Sequence, residues 1–423
     1  MNYKKEEIKP GITLHKINTN KFKTNLFSIF LTTKLNRENV TKKALLTAVL
    51  RRGTKKLTTQ EEISKYLENM YGASFDCGVE KSGDNHVIKF YLESINNEFL
   101  PTEENLSKEC MDVLLDIVFN PYIEDGSFKK EFVEGEKENL KQIIEGKIDN
   151  KARYAFDRCI EEMYKNEPYG LYKYGYIDDL KSIDNKNLYE YYRDFIKDVK
   201  IDIFVSGDLD EKIVSEIKEN EIIKNLEERE AVYNVNKENQ LKDKVSEPKV
   251  ITESMQIAQG KLILGLDVLD NKKENRYQTS VYNVILGGSA NSKMFQNVRE
   301  KASLAYTAGS NYLRQKDNIF IKCGIDIPNY EKALEIIKEQ LKQMENGDFT
   351  EEDIDNAKTI IKASVESIPE SQDSEITYYF SQELSEEFVS IEEYIKNIEK
   401  VSKEQIVEIA KKIQINTIYF LKD

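Results

Sequence analysis

The sequence predicts an α+β protein built from two similar halves, each a mainly antiparallel sheet with helices packed on one face. Hydrophobic periodicity along the 423 residues alternates between strand-like and helix-like spacing in the same order twice. Residues 71–94 and 304–326 each show a helix end, a strand, a polar turn and a second strand, and each half closes on a short apolar strand. A repeated order of this kind indicates a duplicated unit.

The elements of the first half follow from apolar spacing and from helix-start signals. Thr59, with Glu62 three residues later, forms a capping-box pattern that marks the start of one helix. The predicted order is a strand at 11–35, helices at 39–52 and 59–71, strands within 73–95, a helix at 106–119, a long helix at 127–165, a helix at 185–196 and a strand at 199–205.

The second half repeats this order. Thr350 with Asp353 gives a weaker capping pattern at the start of its later helices. The predicted elements are a strand at 260–266, helices at 275–286 and 292–302, strands within 304–325, a helix at 330–344, further helices within 351–413 and a last strand at 416–421.

A charged, turn-rich stretch separates the halves. Few of its residues could bury apolar surface, so the segment 227–249 is predicted to be an interdomain linker. The N-terminal α+β half is then 1–226 and the C-terminal half is 250–423.

Composition excludes several classes of function. The chain has 76 acidic residues against 62 Lys and Arg, a net charge of -14, so its long-range field repels nucleic acid. Its four cysteines form no C-x-x-C pair, which argues against a disulfide framework and a cysteine zinc site. We expect no membrane span and no secretory leader, and hence a cytoplasmic protein.

Histidine is the most restrictive count. The chain has two, His15 and His86, and both lie in strand-like segments. A His-based metal site or a His-centred triad would have to use one of them. The sequence therefore argues against a hydrolase that works alone.

Residues 41–75 contain an apolar helix followed by VLRRGTKK and, later, by a helix that ends in Tyr-Gly-Ala. This segment resembles the zinc-binding region of the pitrilysin and insulinase family of metallopeptidases, the inverzincins, in which H-x-x-E-H precedes an apolar residue, a basic residue and G-T. On that register the zinc-ligand positions fall on Ala44 and Ala48, and the general-base position falls on Thr47. The resemblance implies the LuxS and processing-peptidase type of fold, in its compact two-half form.

The residues at those positions cannot do the family's chemistry. Two imidazoles at i and i+4 share one cation while the Glu between them takes a proton from metal-bound water. Alanine offers no lone pair, and threonine is no base near neutral pH. We therefore expect this chain to bind no cofactor and no metal.

In catalytic relatives the long helix supplies the third ligand, a Glu, with another Glu seven residues earlier. Glu138 and Glu145 have this spacing, and the resemblance implies that Glu145 is the relic of the ligand. Glu and Lys dominate every face of this helix, so a solvated helix face is the other interpretation of the pair.

The segment 285–312, ILGGSANSKMFQNVREKASLAYTAGSNY, resembles the family's C-terminal motif, in which glycines precede a helix with R-E-K and then L-A-Y. Arg299 and Tyr306 fall on the positions that bind the substrate backbone and stabilise charge on the scissile carbonyl. A guanidinium and a phenol are suitable donors to an oxyanion. Gly287 and Gly288 permit a tight turn before the helix and are assigned to substrate binding.

A lost metal half-site with a retained Arg and Tyr half-site predicts the non-catalytic, substrate-positioning subunit of a two-chain zinc-dependent peptidase. The expected partners are a catalytic paralogue that carries H-x-x-E-H and zinc, and an extended peptide or protein substrate, with a homodimer when the chain is alone. The alternative is a pseudo-peptidase scaffold or peptide-binding protein. More narrowly, the chain resembles the inactive member of paired bacterial homologues, some of which are linked to elongation factor P modification.

Overall fold

The computed structural model describes residues 2–101, 103–230, 242–269, 272 and 275–423. The strands in these ranges are β1 (Tyr3–Lys9), β2 (Ile12–Asn18), β3 (Thr24–Lys34), β4 (Ser74–Ser82), β5 (Asn85–Ile95), β6 (Ile123–Glu124), β7 (Ser127–Phe128), β8 (Lys200–Gly207), β9 (Lys249–Ser254), β10 (Gly260–Val268), β11 (Ala305–Leu313), β12 (Asn318–Ile325) and β13 (Ile413–Lys422).

The α-helices are α1 (Val40–Leu50), α2 (Gln60–Asn69), α3 (Leu106–Phe119), α4 (Lys130–Glu145), α5 (Lys151–Met163), α6 (Ile177–Leu180), α7 (Asn185–Asp198), α8 (Lys212–Glu219), α9 (Glu221–Asn225), α10 (Asn275–Gly287), α11 (Tyr330–Asn346), α12 (Glu351–Glu366), α13 (Gln372–Ser385), α14 (Ile391–Glu399) and α15 (Lys403–Ala410). A π-helical stretch, Phe295–Lys301, lies between α10 and β11.

The predicted α+β duplication is confirmed by the order of strands in the two large sheets. Sheet 1 has the order β1-β2-β8-β3-β5-β4, and sheet 2 has the order β11-β12-β10-β13-β9. Read from opposite ends, β2 corresponds to β9, β8 to β13, β3 to β10, β5 to β12 and β4 to β11. The neighbours β2 and β8 of sheet 1 are parallel, and so are their counterparts β9 and β13 of sheet 2. The other corresponding neighbours in both sheets are antiparallel.

The chain divides into two compact units. Unit 1 comprises Met1–Gly146, Leu171–Val235 and Pro369–Ser381, and unit 2 comprises Lys147–Gly170, Asn236–Ile368 and Gln382–Asp423. One face of each sheet packs against helices from its own half of the sequence. Residues such as Leu262 and Leu264 of β10 lie in that core.

The opposite face of each sheet is covered by a helix from the other half of the sequence. In unit 2, Phe156 and Cys159 of α5 pack against Ile263, Phe320 and Tyr419 of sheet 2. In unit 1, Phe380 of α13 stacks on Phe30 of β3, with ring centroids 3.9 Å apart. The boundaries predicted from the sequence, 1–226 and 250–423, instead place α5 in the N-terminal half and α13 in the C-terminal half.

A network on Glu253 of β9 fixes α5 to sheet 2. Tyr154 of α5 donates to Glu253 Oε1 at 2.5 Å, and Tyr419 of β13 donates to Glu253 Oε2 at 2.6 Å. Burial, together with the Glu253 hydrogen bond, raises the pKa of Tyr154 to about 12. Burial and the Glu253 hydrogen bond also raise the pKa of Tyr419, so both phenols stay neutral donors in ordinary buffers.

Several predicted elements differ in detail. The long helix at 127–165 is broken into α4 and α5, because Gly146 ends α4 and the Asn150 side chain caps the Arg153 N–H at the start of α5. The strand at 11–35 is two strands, β2 and β3. Of the predicted linker, residues 231–241 lie outside the described residues, and Lys249 already belongs to β9.

Candidate functional site

The helix that carries the degenerate metal positions is largely buried. Ala44 and Thr47 of α1 are buried, and Ala48, one turn after Ala44, is half-buried. The Thr47 hydroxyl donates to the Lys43 carbonyl at 2.9 Å, four residues back, so its hydrogen is used within the helix. These three side chains offer no set of donors that fits a zinc ion.

The surroundings of α1 are electrostatically unusual. Lys43 is buried, and its ammonium donates to Thr33 Oγ1 at 2.5 Å and to the Lys34 carbonyl at 2.8 Å. Burial lowers the pKa of Lys43 to about 7. Burial, and then the Lys43 charge, lower the pKa of His86 to about 3, and its Nε2 faces the Lys173 carbonyl at 2.9 Å. His86 is thus a neutral buried residue.

Glu136 is the carboxylate of α4 that lies near the end of α1, and the sequence did not predict it. Glu138 and Glu145 are both exposed. Glu136 is buried instead, and it accepts from Arg52 at 3.2 Å, just after α1. The signal was available, because Val133, Glu136 and Leu140 share one helical face and all three are buried.

We expect the purified chain to carry no stoichiometric zinc after dialysis. Ala44 and Ala48 supply no ligands, and catalytic zinc sites draw about three ligands from the protein. Among the described residues, no group of three His, Cys, Asp or Glu side chains is placed to hold a metal ion. Elemental analysis measures this, and one zinc per chain that disappears in Glu145→Gln would contradict it.

Arg299 lies on the π-helical stretch of unit 2. Its guanidinium stacks 4.5 Å from the Phe295 ring centroid, and its Nε lies 3.6 Å from the Glu300 carboxylate. The side chain remains partly exposed. The sequence predicted an ordinary helix at 292–302; a π-helix has wider turns, and such turns occur frequently at functional sites.

Tyr306 occupies a β-bulge on the edge strand of sheet 2. In the pairing of β11 with β12, Ala305 faces Ile325 and Thr307 faces Gly324, so Tyr306 is the extra residue. A bulge turns a side chain away from the regular pleat, and Tyr306 is 65% exposed. Since the π-helical stretch packs on β11, the structure places Arg299 and Tyr306 on two contacting elements.

Gly287 and Gly288 have a packing reason to be glycine. A Cβ on Gly287 would lie 2.5 Å from the Ser310 nitrogen of β11, and a Cβ on Gly288 would lie 2.8 Å from the Val284 Cα. Gly287 therefore allows the end of α10 to approach β11 closely, whereas Gly288 avoids a clash with the preceding turn of α10 itself. Their assignment to substrate binding stays a prediction.

Two α+β units of one topology, with a segment that resembles the zinc helix but has alanine at both ligand positions, define a peptidase-like protein. A sequence profile described as the Peptidase M16 inactive domain matches residues 182–361. The chain is 37% identical, over 97% of its length and 96% of the relative's, to the "Probable inactive metalloprotease YmfF" of Bacillus subtilis (strain 168). The chain belongs to the M16, pitrilysin-like family of peptidases, and to its inactive type.

Two further similarities agree with this assignment. An "Uncharacterized zinc protease YmxG", also from Bacillus subtilis (strain 168), is 24% identical over 72% of each chain. A crystal structure of a conserved protein from Enterococcus faecalis V583 has a TM-score of 0.91 and 28% identity, and covers 100% of this chain and 99% of that one. Within the described ranges, no helix is long and apolar enough to cross a membrane.

Proposed function

We propose that the chain is the non-catalytic, substrate-positioning subunit of a two-chain zinc-dependent peptidase. The observation that carries the proposal is the bulge that exposes Tyr306 beside the helix of Arg299, in a chain whose own metal positions are alanines. A buried tyrosine hydroxyl donates within the protein, as that of Tyr419 does to Glu253, whereas a mostly exposed one on a bulge can donate to a bound molecule.

The chemistry of the pair supports this role. Arg299 is a permanent cation with a rigid set of donors, and Tyr306 is a neutral donor. Both can stabilise the oxyanion that forms when a peptide carbonyl is attacked. The metal-bound nucleophile would come from the partner, which would hold the zinc through its own H-x-x-E-H.

The position of β11 supports an extended peptide as substrate. β11 is the outer strand of sheet 2, and Tyr306 and Thr307 are both exposed on it. An edge strand can pair with an extended chain through main-chain hydrogen bonds, which tolerates varied sequences. The net charge of -14 favours basic peptides at long range.

The relatives support a catalytic partner. One organism, Bacillus subtilis (strain 168), has a relative named as an inactive metalloprotease and another named as a zinc protease. A pair of paralogues in one cell is what a two-chain enzyme requires. This chain and its catalytic paralogue would meet in the cytoplasm.

The test is reconstitution. We expect the chain alone to cleave no fluorogenic peptide, and its mixture with the catalytic paralogue from the same organism to cleave far faster than the paralogue alone. Size-exclusion chromatography should show the two chains co-eluting at a 1:1 ratio. If the paralogue alone is as active as the mixture, the substrate-positioning function is wrong.

A scaffold or peptide-binding function is the second candidate, and one observation favours it. Arg299 already contacts Phe295 and Glu300 of its own helix, as a structural arginine would. In that case the mixture would assemble without any gain in activity. The link to elongation factor P modification belongs with this second function, and only the resemblance carries it.

A further inference from the structure

A cavity lies within unit 2, away from the Arg299 and Tyr306 pair. Its volume is about 510 Å³, and it is lined by residues from α10, α14, α15 and the segment between α13 and α14. Tyr306 is near the start of β11, whereas Arg314 of the cavity directly follows the end of that strand. At about 3.3 Å per residue, the eight steps along the chain from Tyr306 to Arg314 separate the two places by roughly 25 Å.

One side chain that lines this cavity has a buried oxygen that accepts no hydrogen bond from the described part of the chain. Gln278 of α10 is 9% exposed, and its Oε1 finds no donor among the described residues. Burying a carbonyl oxygen without a donor is costly, and native proteins rarely do so without a reason. A ligand that donates an N–H to Gln278 Oε1 would remove this cost.

The charged groups of the cavity favour an anion. Glu387 accepts from Arg314 Nη2 at 3.2 Å and also from Arg276 Nη1. Its negative charge is therefore shared between two guanidinium groups. Lys400 adds an exposed ammonium at the rim. Of the charged side chains that line the cavity, two are cations, Arg314 and Lys400, and one is an anion, Glu387, although the chain as a whole is strongly acidic.

The remaining wall is apolar. Phe388 is exposed to 43%, and Tyr277, Val389 and Val401 complete this side of the cavity. Gln382 holds the Phe388 segment in place, since its side chain bonds both the N–H and the carbonyl of Val389. A ring or a branched side chain could lie against this wall.

The geometry points to a binding site for the C-terminal residue of a short peptide that ends in an apolar or aromatic side chain. Such a residue carries three groups close together. Its carboxylate can accept from Arg314 and Lys400, its N–H can donate to Gln278 Oε1, and its side chain can pack against Phe388. The volume is in the range of small-ligand cavities. This site does not depend on the proposed peptidase function.

The test is calorimetric titration of the full chain, without any partner, with N-acetyl-alanyl-phenylalanine. We expect saturable 1:1 binding, and at least tenfold weaker binding of the C-terminal amide of the same peptide, which lacks the negative charge. We also expect 3-phenylpropionate, which keeps the ring and the carboxylate but lacks the N–H, to bind roughly tenfold more weakly than the peptide.

Three variants make the test specific. Gln278→Leu removes the unpaired acceptor, so it should not lower the melting temperature, yet it should weaken peptide binding about tenfold and leave phenylpropionate binding unchanged. Lys400→Gln should weaken the binding of both carboxylate ligands, the peptide and phenylpropionate, several-fold. Lys338→Gln, the same change at an exposed site on α11, should change neither. No binding of the acid, equal binding of acid and amide, or unchanged peptide affinity in Gln278→Leu would overturn the proposal.

Discussion

Tyr306→Phe should lower the kcat of the proposed two-chain peptidase, measured on the reconstituted pair, by about 100- to 1,000-fold, with a much smaller change in KM. Loss of one oxyanion donor costs roughly 3 to 4 kcal/mol of transition-state stabilisation. The oxyanion is present in the transition state and absent from the bound substrate, so the loss falls on kcat. The ring is retained, and the hydroxyl is exposed on its bulge, so the fold of unit 2 should be unaffected.

A matched control removes a hydroxyl elsewhere in the same unit. Tyr394 of α14 packs against Tyr277 of α10, with ring centroids 5.3 Å apart. Tyr394→Phe should leave kcat and KM unchanged. Steady-state kinetics on complexes that co-elute on size exclusion measure both variants. A Tyr306→Phe complex that assembles and works at the full rate would leave the scaffold function in the lead.

Asp202→Ala should destabilise the chain by about 3 to 5 kcal/mol, the usual cost of breaking a buried ion pair. Asp202 of β8 is fully buried and accepts from Lys200 Nζ at 2.6 and 2.8 Å. Its Oδ1 also lies 3.1 Å from His15 Nε2. Alanine removes the acceptor from both buried groups at once. Urea unfolding followed by circular dichroism would measure the loss.

Two comparisons make this prediction specific. The double variant Lys200→Met, Asp202→Leu should recover most of the stability, because a buried ion pair can be replaced by apolar side chains at little cost. Burial opposes ionisation of Asp202, but Lys200 and His15 outweigh it and hold its pKa below the usual range. The gap between native and Asp202→Ala should therefore be complete at pH 7 and shrink below about pH 4. A constant gap down to pH 2 would contradict this account.

Much of the fold could be predicted because the repeated order of apolar periods reflects two copies of one unit. β1 was missed because its sequence, YKKEEIK, is charged and mostly exposed, as suits an edge strand. The sequence could not predict that α5, from the N-terminal half, covers sheet 2 and that α13, from the C-terminal half, covers sheet 1. Periodicity shows that Phe156 or Phe380 is on an apolar face, but it does not show which sheet covers that face.

The site was predictable only where residue type decides the chemistry. Alanine at positions 44 and 48 excludes zinc ligands from sequence alone. The exposure of Tyr306 depends on a one-residue bulge between Ala305 and Thr307, and no sequence period marks that bulge. That Gln278 Oε1 meets no donor among the described residues depends on what surrounds the start of α10, which only the three-dimensional arrangement shows.

Because α13 covers sheet 1 but is synthesised long after it, sheet 1 cannot be fully covered until late in translation. Sheet 1 has its last strand at Gly207, but its covering helix begins only at Gln372. At ~5–20 residues per second, synthesis of the intervening chain takes on the order of 10 s. During that interval Phe30 and Phe204, which later pack on Phe380, face water or a chaperone. Long-range contacts of this kind slow folding, and the nascent N-terminal half stays unfinished until most of the chain has emerged.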